Sequence, residues 1–286
     1  MRAIALSCVC VLSGSLAFSR AAFASSFATE VISYTPGTNV QPGYTDPNVA
    51  LGPPGRVTGT GPFDGDVTPF NAPYQASDVV SIGAGGSLTV RFDHQISDDP
   101  SHPYGIDLLV FGNAFLGIDF DTGIADGTIF AEPGQIAVSQ DGVHWVGVPG
   151  VFADSLFPTL GFQNTPGPFA PGGTIPTRYT QAVNPALSAA SFAGLDIAGV
   201  SALYAGSGGG AGIDLGALGL PWIQYVRVFQ PAGDAFSTEV DAFAAVPEPV
   251  APTLLGVAAL ALTWTRARAR RPTRATAATP RARARG

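Results

Sequence analysis

Cysteine is almost missing from this chain: of its 286 residues only Cys8 and Cys10 carry a thiol, and both lie in the first ten positions. Everything downstream lacks disulfides and thiol nucleophiles, so its stability must come from packing, with or without a bound metal. Histidine is nearly as scarce, with His94, His102 and His144 the whole supply. They form no His-x-x-x-His or Glu-x-x-His pair, which leaves a zinc site little to build on. Positive charge is sparse in the body: between Phe27 and Ala245 stand Arg56, Arg91, Arg178 and Arg227 against 20 carboxylates. So anionic a surface repels phosphate backbones, and no nucleic acid is expected as a partner. No Gly-x-Ser-x-Gly elbow singles out a serine nucleophile. The one dinucleotide-like phrase, Gly206 to Ala211, lacks the strand and helix that would give it meaning. The expectation is a protein that is not an enzyme. Carboxylates are numerous enough for a glycosidase pair, but nothing in the sequence selects one, so a polysaccharide-acting hydrolase stays open as the alternative.

What is present is segregated by position. Arg2, an apolar run from Ala3 to Phe18, and Ala22-Phe23-Ala24 ahead of Ser25 spell a secretory signal over residues 1–24, with cleavage expected between Ala24 and Ser25. At the other end Val246-Pro247-Glu248-Pro249 is followed by an apolar stretch from Pro252 to Trp264 and then by Arg266, Arg268, Arg270 and Arg271. Residues 246–271 thus read as a C-terminal transmembrane helix stopped by positive-inside arginines, whose long side chains help a short helix reach across a core of ~30 Å. Eight of the 14 basic residues lie from Arg266 onward, and residues 272–286 are expected to be a disordered basic tail.

The order Val246-Pro247-Glu248-Pro249, apolar helix, arginine cluster resembles the PEP-CTERM sorting signal of Gram-negative bacteria. The resemblance implies an exosortase, a membrane cysteine protease, as partner, and a membrane anchor that lasts only until processing. It also implies export through the inner membrane to the cell surface or extracellular matrix, alongside exopolysaccharide such as that of a biofilm.

Residues 25–245 are long enough for one large domain with its own core. Alternating or short apolar runs at Val79–Ile82, Ser87–Phe92, Ile106–Phe111, Gln135–Ser139, His144–Val148, Ile223–Phe229 and Val240–Phe243 are strand signatures. Asp141-Gly142 predicts a hairpin turn joining two of them, which makes Asp141 a turn residue rather than a ligand. No convincing helical period precedes the C-terminal anchor. The expected fold is all-β, an antiparallel β-sandwich of the jelly-roll kind. The segment 149–212, rich in Pro, Gly and Ser, reads as a long loop that either frames a binding face or merely connects. Aromatic residues in or near loops and strand ends (Tyr104, Phe115, Trp145, Phe162, Phe169, Tyr179, Tyr204, Trp222) are candidates for a sugar platform, with Trp145 expected in the core.

The phrases Asp46 to Gly52, Val80 to Val90, Asp107 to Asn113, Val138 to Gly142 and Tyr225 to Val228 resemble a bacterial surface-protein domain similar to discoidin-like, galactose-binding-type jelly rolls. That likeness implies a binding or structural role with carbohydrate, namely extracellular polysaccharide, as ligand, and a structural calcium ion held between an early loop and the last strand, for which Asp46 and Asp241 are the candidates. It also implies an acidic residue where this chain has Gly112. Asp64 with Asp66, and Asp119 with Asp121, place carboxylates two apart, but neither pair has a glutamate at the spacing of an EF-hand loop.

Overall fold

The computed structural model describes residues 24–247, and every pair of neighbouring strands among them is antiparallel. The expected signal segment up to Phe23, and Glu248, Pro249, the membrane helix, Arg266, Arg268, Arg270, Arg271 and the basic tail, lie outside the described residues. Among the described residues no helix is long and apolar enough to cross a membrane. The strands are β1 (Glu30–Thr35), β2 (Val80–Ile82), β3 (Ser87–Ser97), β4 (Leu108–Phe111), β5 (Phe115–Asp119), β6 (Ile124–Phe130), β7 (Gly134–Ser139) and β8 (Val146–Ala153), then, after helix α1 (Ile197–Tyr204), β9 (Ala211–Ile213), β10 (Trp222–Phe229), β11 (Thr238–Val240) and β12 (Ala242–Ala245).

A five-stranded sheet runs in the order β1-β3-β10-β7-β8, while β12-β4-β9 and β11-β2 form shorter sheets. One hydrophobic core joins them: Leu88, Val90, Phe92, Ile136, Val138, Val226 and Val228 from the large sheet meet Val80, Ile82, Leu108, Val110, Ile213, Val240 and Phe243 from the others. The molecule is therefore a β-sandwich. In β3 the alternation is direct, with Leu88, Val90 and Phe92 fully buried while Arg91 and Asp93 face outward. In β10 the buried residues Ile223 and Val226 are of opposite parity, and the register with β3 is broken between them, the pairing passing from Ile223 opposite Ile96 to Tyr225 opposite Arg91. Each such buried Val, Leu or Phe is worth roughly 1.5–3 kcal/mol of transfer free energy, so this interface dominates the stability of the fold. The expected hairpin is present: Val138 opposes Val146, Asp141 accepts from the N–H groups of Val143 and His144 at 2.9 and 2.8 Å, and Gly142 takes a φ of +75°.

Three features depart from the sequence reading. The run Val240–Phe243 is two strands, because at Asp241 the chain leaves β2 as its partner and takes up β4. Segment 149–212 is not a bare loop. It supplies α1, capped by Asp196 accepting from Gly199 N at 2.8 Å, and a second core in which Phe157, Leu160, Phe192, Val200 and Tyr204 meet Phe70 and Leu116. Its Tyr179 and Ala182 also cover Leu109, Phe111, Ala242 and Ala244, so β4 and β12 are apolar on both faces. Finally, Trp145 is only half-buried, its indole lying under the Arg227 guanidinium at 4.0 Å rather than in the core.

Candidate functional site

The hairpin β5–β6, residues 62–74 and Phe169 of the long segment enclose a cavity of about 580 Å³. Loop 62–74 is fixed from several sides: Thr68 and Asn71 exchange backbone hydrogen bonds, Thr68 Oγ1 donates to Pro168 O at 2.6 Å, and Leu116 N donates to Pro69 O at 2.7 Å. Asp66 is buried and accepts from Gly173 N at 2.7 Å, so it clasps two loops together. Rings line the cavity in pairs. Phe115 and Phe130, directly opposed across the hairpin, stack at 4.9 Å, and Phe120 stacks on Phe169 at 5.8 Å. Phe120 is 77 % exposed, Phe130 58 %, Phe63 49 % and Phe115 39 %. Four rings left this open in one patch are costly in water unless something covers them. The polar residues along the groove are few: Asn71, Asn113, Asp126 and Tyr74, whose hydroxyl is itself buried and without a partner among the described residues. Of the expected aromatic platform only Phe115 and Phe169 line it; Tyr179 and Tyr204 are core residues.

Asn113 connects this groove to a cluster of acids. Glu132 between β6 and β7, Asp154 just after β8 and Glu239 in β11 bring carboxylate oxygens within 4.8 Å of one another. Asp154 takes a left-handed φ of +52°, and the backbone reaches it only because residue 112 is glycine: a Cβ there would stand 2.7 Å from Asp154 Cα and from Glu239 O. The acidic residue implied at 112 has no room. Burial pushes the Asp154 carboxyl up to about 7, against backbone N–H donors from Ala114, Glu239 and Glu132. Glu239 is pushed up to about 9, first by burial and then by its contact with the Glu132 carboxyl. The Ser81 hydroxyl holds Glu239 Oε1 at 3.1 Å, whereas Oε2 is buried without a donor.

A second acid cluster, Asp98, Asp107 and Asp214, lies where the loop after β3 meets the loop after β9. Asp107 is fully buried and amply served: Oδ1 is hydrogen-bonded to His102 Nδ1 at 2.8 Å and to Asp99 N at 3.1 Å, and Oδ2 accepts from Leu215 N at 2.9 Å. Asp214 caps the turn that follows it, accepting from Ala217 N at 2.9 Å.

Asp46 and Asp241 belong to neither cluster. Asp46 is exposed, and its carboxylate accepts from Asn48 N at 3.0 Å and from Asn48 Nδ2 at 2.8 Å, bonds that hold its carboxyl below the usual range. Asp241 is buried, its carboxyl raised by that burial and by the charge of Asp78, with Gly55 N–H as a donor and Oδ2 unpartnered. Asp119 closes its own turn onto Asp121 N and Thr122 N. At the C-terminal boundary Val246 is part of the sandwich, its N–H donating to Asp107 O at 2.8 Å, and Pro247 is exposed. At the other boundary Ala24 is exposed, and Ser25 N lies 3.3 Å from Asp93 Oδ2. No signal in the sequence marks Phe63, Tyr74, Phe120 and Phe130 as neighbours, or Glu132, Asp154 and Glu239, because each set is drawn from separate segments.

Comparison of the chain with models of protein families, and separately with curated proteins, gives no match.

Proposed function

We propose that this chain is an exported bacterial surface or matrix protein whose jelly-roll body binds carbohydrate of the extracellular matrix in the aromatic groove. The observation that carries the reading is the groove itself, with stacked, solvent-facing Phe115, Phe120 and Phe130 beside the amide of Asn113. Sugar rings present C–H faces that stack on aromatic rings and hydroxyls that need a few placed partners, and a pocket of this size takes one or two such rings. The alternative, a hydrolase acting through paired carboxylates, finds less support here. Asp126 is the one acid lining the groove, and it is tied to Thr128 N at 2.8 Å and to Thr128 Oγ1 at 2.7 Å. Glycan-array binding by the purified protein, lost in a Phe120→Ala/Phe130→Ala double variant and unaccompanied by release of reducing sugar, tests the binding reading; turnover would favour the hydrolase.

Sorting belongs to the same proposal. An exosortase acts on Val246-Pro247-Glu248-Pro249 after the helix and Arg266, Arg268, Arg270 and Arg271 have held the chain in the membrane. Signal cleavage after Ala24 would turn Ser25 N into an ammonium group beside Asp93, an ion pair available only to the processed chain. The intact mass of the protein from cells checks both cuts, with residues 1–24 and the segment beyond the Pro-Glu-Pro motif expected to be gone. Calcium is part of the proposal as a structural ion of the body.

A further inference from the structure

We propose that Glu132, Asp154 and Glu239 form a calcium site. The inference rests on the reading of a calcium-stabilised body and places the ion away from Asp46 and Asp241. Two observations converge on it. The carboxylate oxygens come from three remote segments and lie within 4.8 Å of one another, and oxygens on opposite sides of a calcium ion bound at 2.3–2.6 Å are about 5 Å apart. Glu239 is 4 % exposed, yet its Oε2 finds no donor among the described residues. A buried carboxylate oxygen without a donor is expensive, and a cation supplies what the fold withholds. The Asn113 amide turns its nitrogen toward Asp154 and donates to the two carboxylate oxygens at 3.2 and 3.3 Å, orienting that ligand from behind.

The donors select the ion. All three are carboxylates, whose oxygens suit calcium or magnesium and not zinc. Magnesium demands near-octahedral geometry and keeps several waters, whereas this cluster is largely closed, with only Glu132 half-exposed for water to complete the shell. Ser81, on Glu239 Oε1, orients that ligand from behind.

Purified full-length protein, stripped with chelator and titrated with calcium by calorimetry, tests this. Saturable binding and a rise in Tm of roughly 5 °C at saturation are expected. Glu132→Gln, at the half-exposed ligand, should keep the fold and lose at least tenfold in calcium affinity, while Asp98→Asn in the other cluster should change nothing. If calcium still binds Glu132→Gln and Asp154→Asn as it binds the wild type, the ion lies elsewhere and this site falls while the calcium reading stands. If the wild type binds no calcium, both fall. An equal response to magnesium overturns the choice of ion.

Discussion

Two clusters of three acids sit in one sandwich, and they are opposites. Around Asp107 the fold has placed the N–H groups of Asp99 and Leu215 and the His102 ring, so a fully buried carboxylate is hydrogen-bonded on both oxygens. Around Glu239 it has placed two more carboxylates, one serine hydroxyl and nothing on Oε2. The first arrangement ties two loops together and leaves neither Asp107 oxygen without a donor. The second is electrostatically unfinished, and Asp154 and Glu239 in it are pushed up toward neutrality by burial. Proximity of acids is thus uninformative by itself; the count of donors separates a structural clasp from a vacancy for charge.

The comparison is broken or sharpened most strongly at Asp107. Asp107→Ala leaves three donors facing an empty buried space, and an expected loss of about 3–5 kcal/mol would be read by urea denaturation. A loss under about 1 kcal/mol would remove the claim that the clasp holds the loops. Next comes a contrast in sign between like substitutions. Asp107→Asn should destabilise, whereas Glu239→Gln, measured in chelator at pH 9, should stabilise by about 1–3 kcal/mol because it deletes a charge that the fold does not solvate. The same variant should make no difference at pH 4, where the wild-type residue is already neutral in both states.

The pH dependence follows with a defined direction. Asp154 and Glu239 have folded values near 7 and 9, above their unfolded ones, so the folded chain holds protons that the unfolded chain releases. Their contribution to stability is complete below about pH 4 and is lost as pH rises through those folded values. In chelator the Tm should therefore fall between about pH 5 and pH 9, and calcium should flatten that decline. A Tm that climbs across this window without calcium would contradict the account. The smallest effect on folding is expected away from both clusters, in the groove: Phe120→Ala removes a ring that is 77 % exposed and should change stability by less than about 1 kcal/mol while weakening glycan binding. If it unfolds the protein instead, the ring is part of the core and the groove reading fails.

Strands β3, β7 and β10 were legible because their apolar residues follow the period of two, and β4 because Leu108 to Phe111 is a continuous apolar run. Strand β1 escaped notice, since most of its residues are exposed at the edge of the large sheet and carry no inward stripe. Strands β5 and β6 mix Gly and Asp with their apolar residues, and α1, Ile-Ala-Gly-Val-Ser-Ala-Leu-Tyr, has no polar face to reveal a helical period. The Asp141 turn was readable from a single dipeptide because its hydrogen bonds close within three residues. Glu132, Asp154 and Glu239 had no such mark.

By itself, then, the sequence determined a cysteine-free, acidic, all-β body, because chain composition and the alternation of apolar side chains act locally and need no knowledge of what lies opposite. Only the tertiary structure decided which rings open onto a common groove, that Asp107 is satisfied and that Glu239 is not. The reason is physical: a buried carboxylate's free energy is set by the donors and charges brought within a few ångströms of it, and those come from segments that no local period connects.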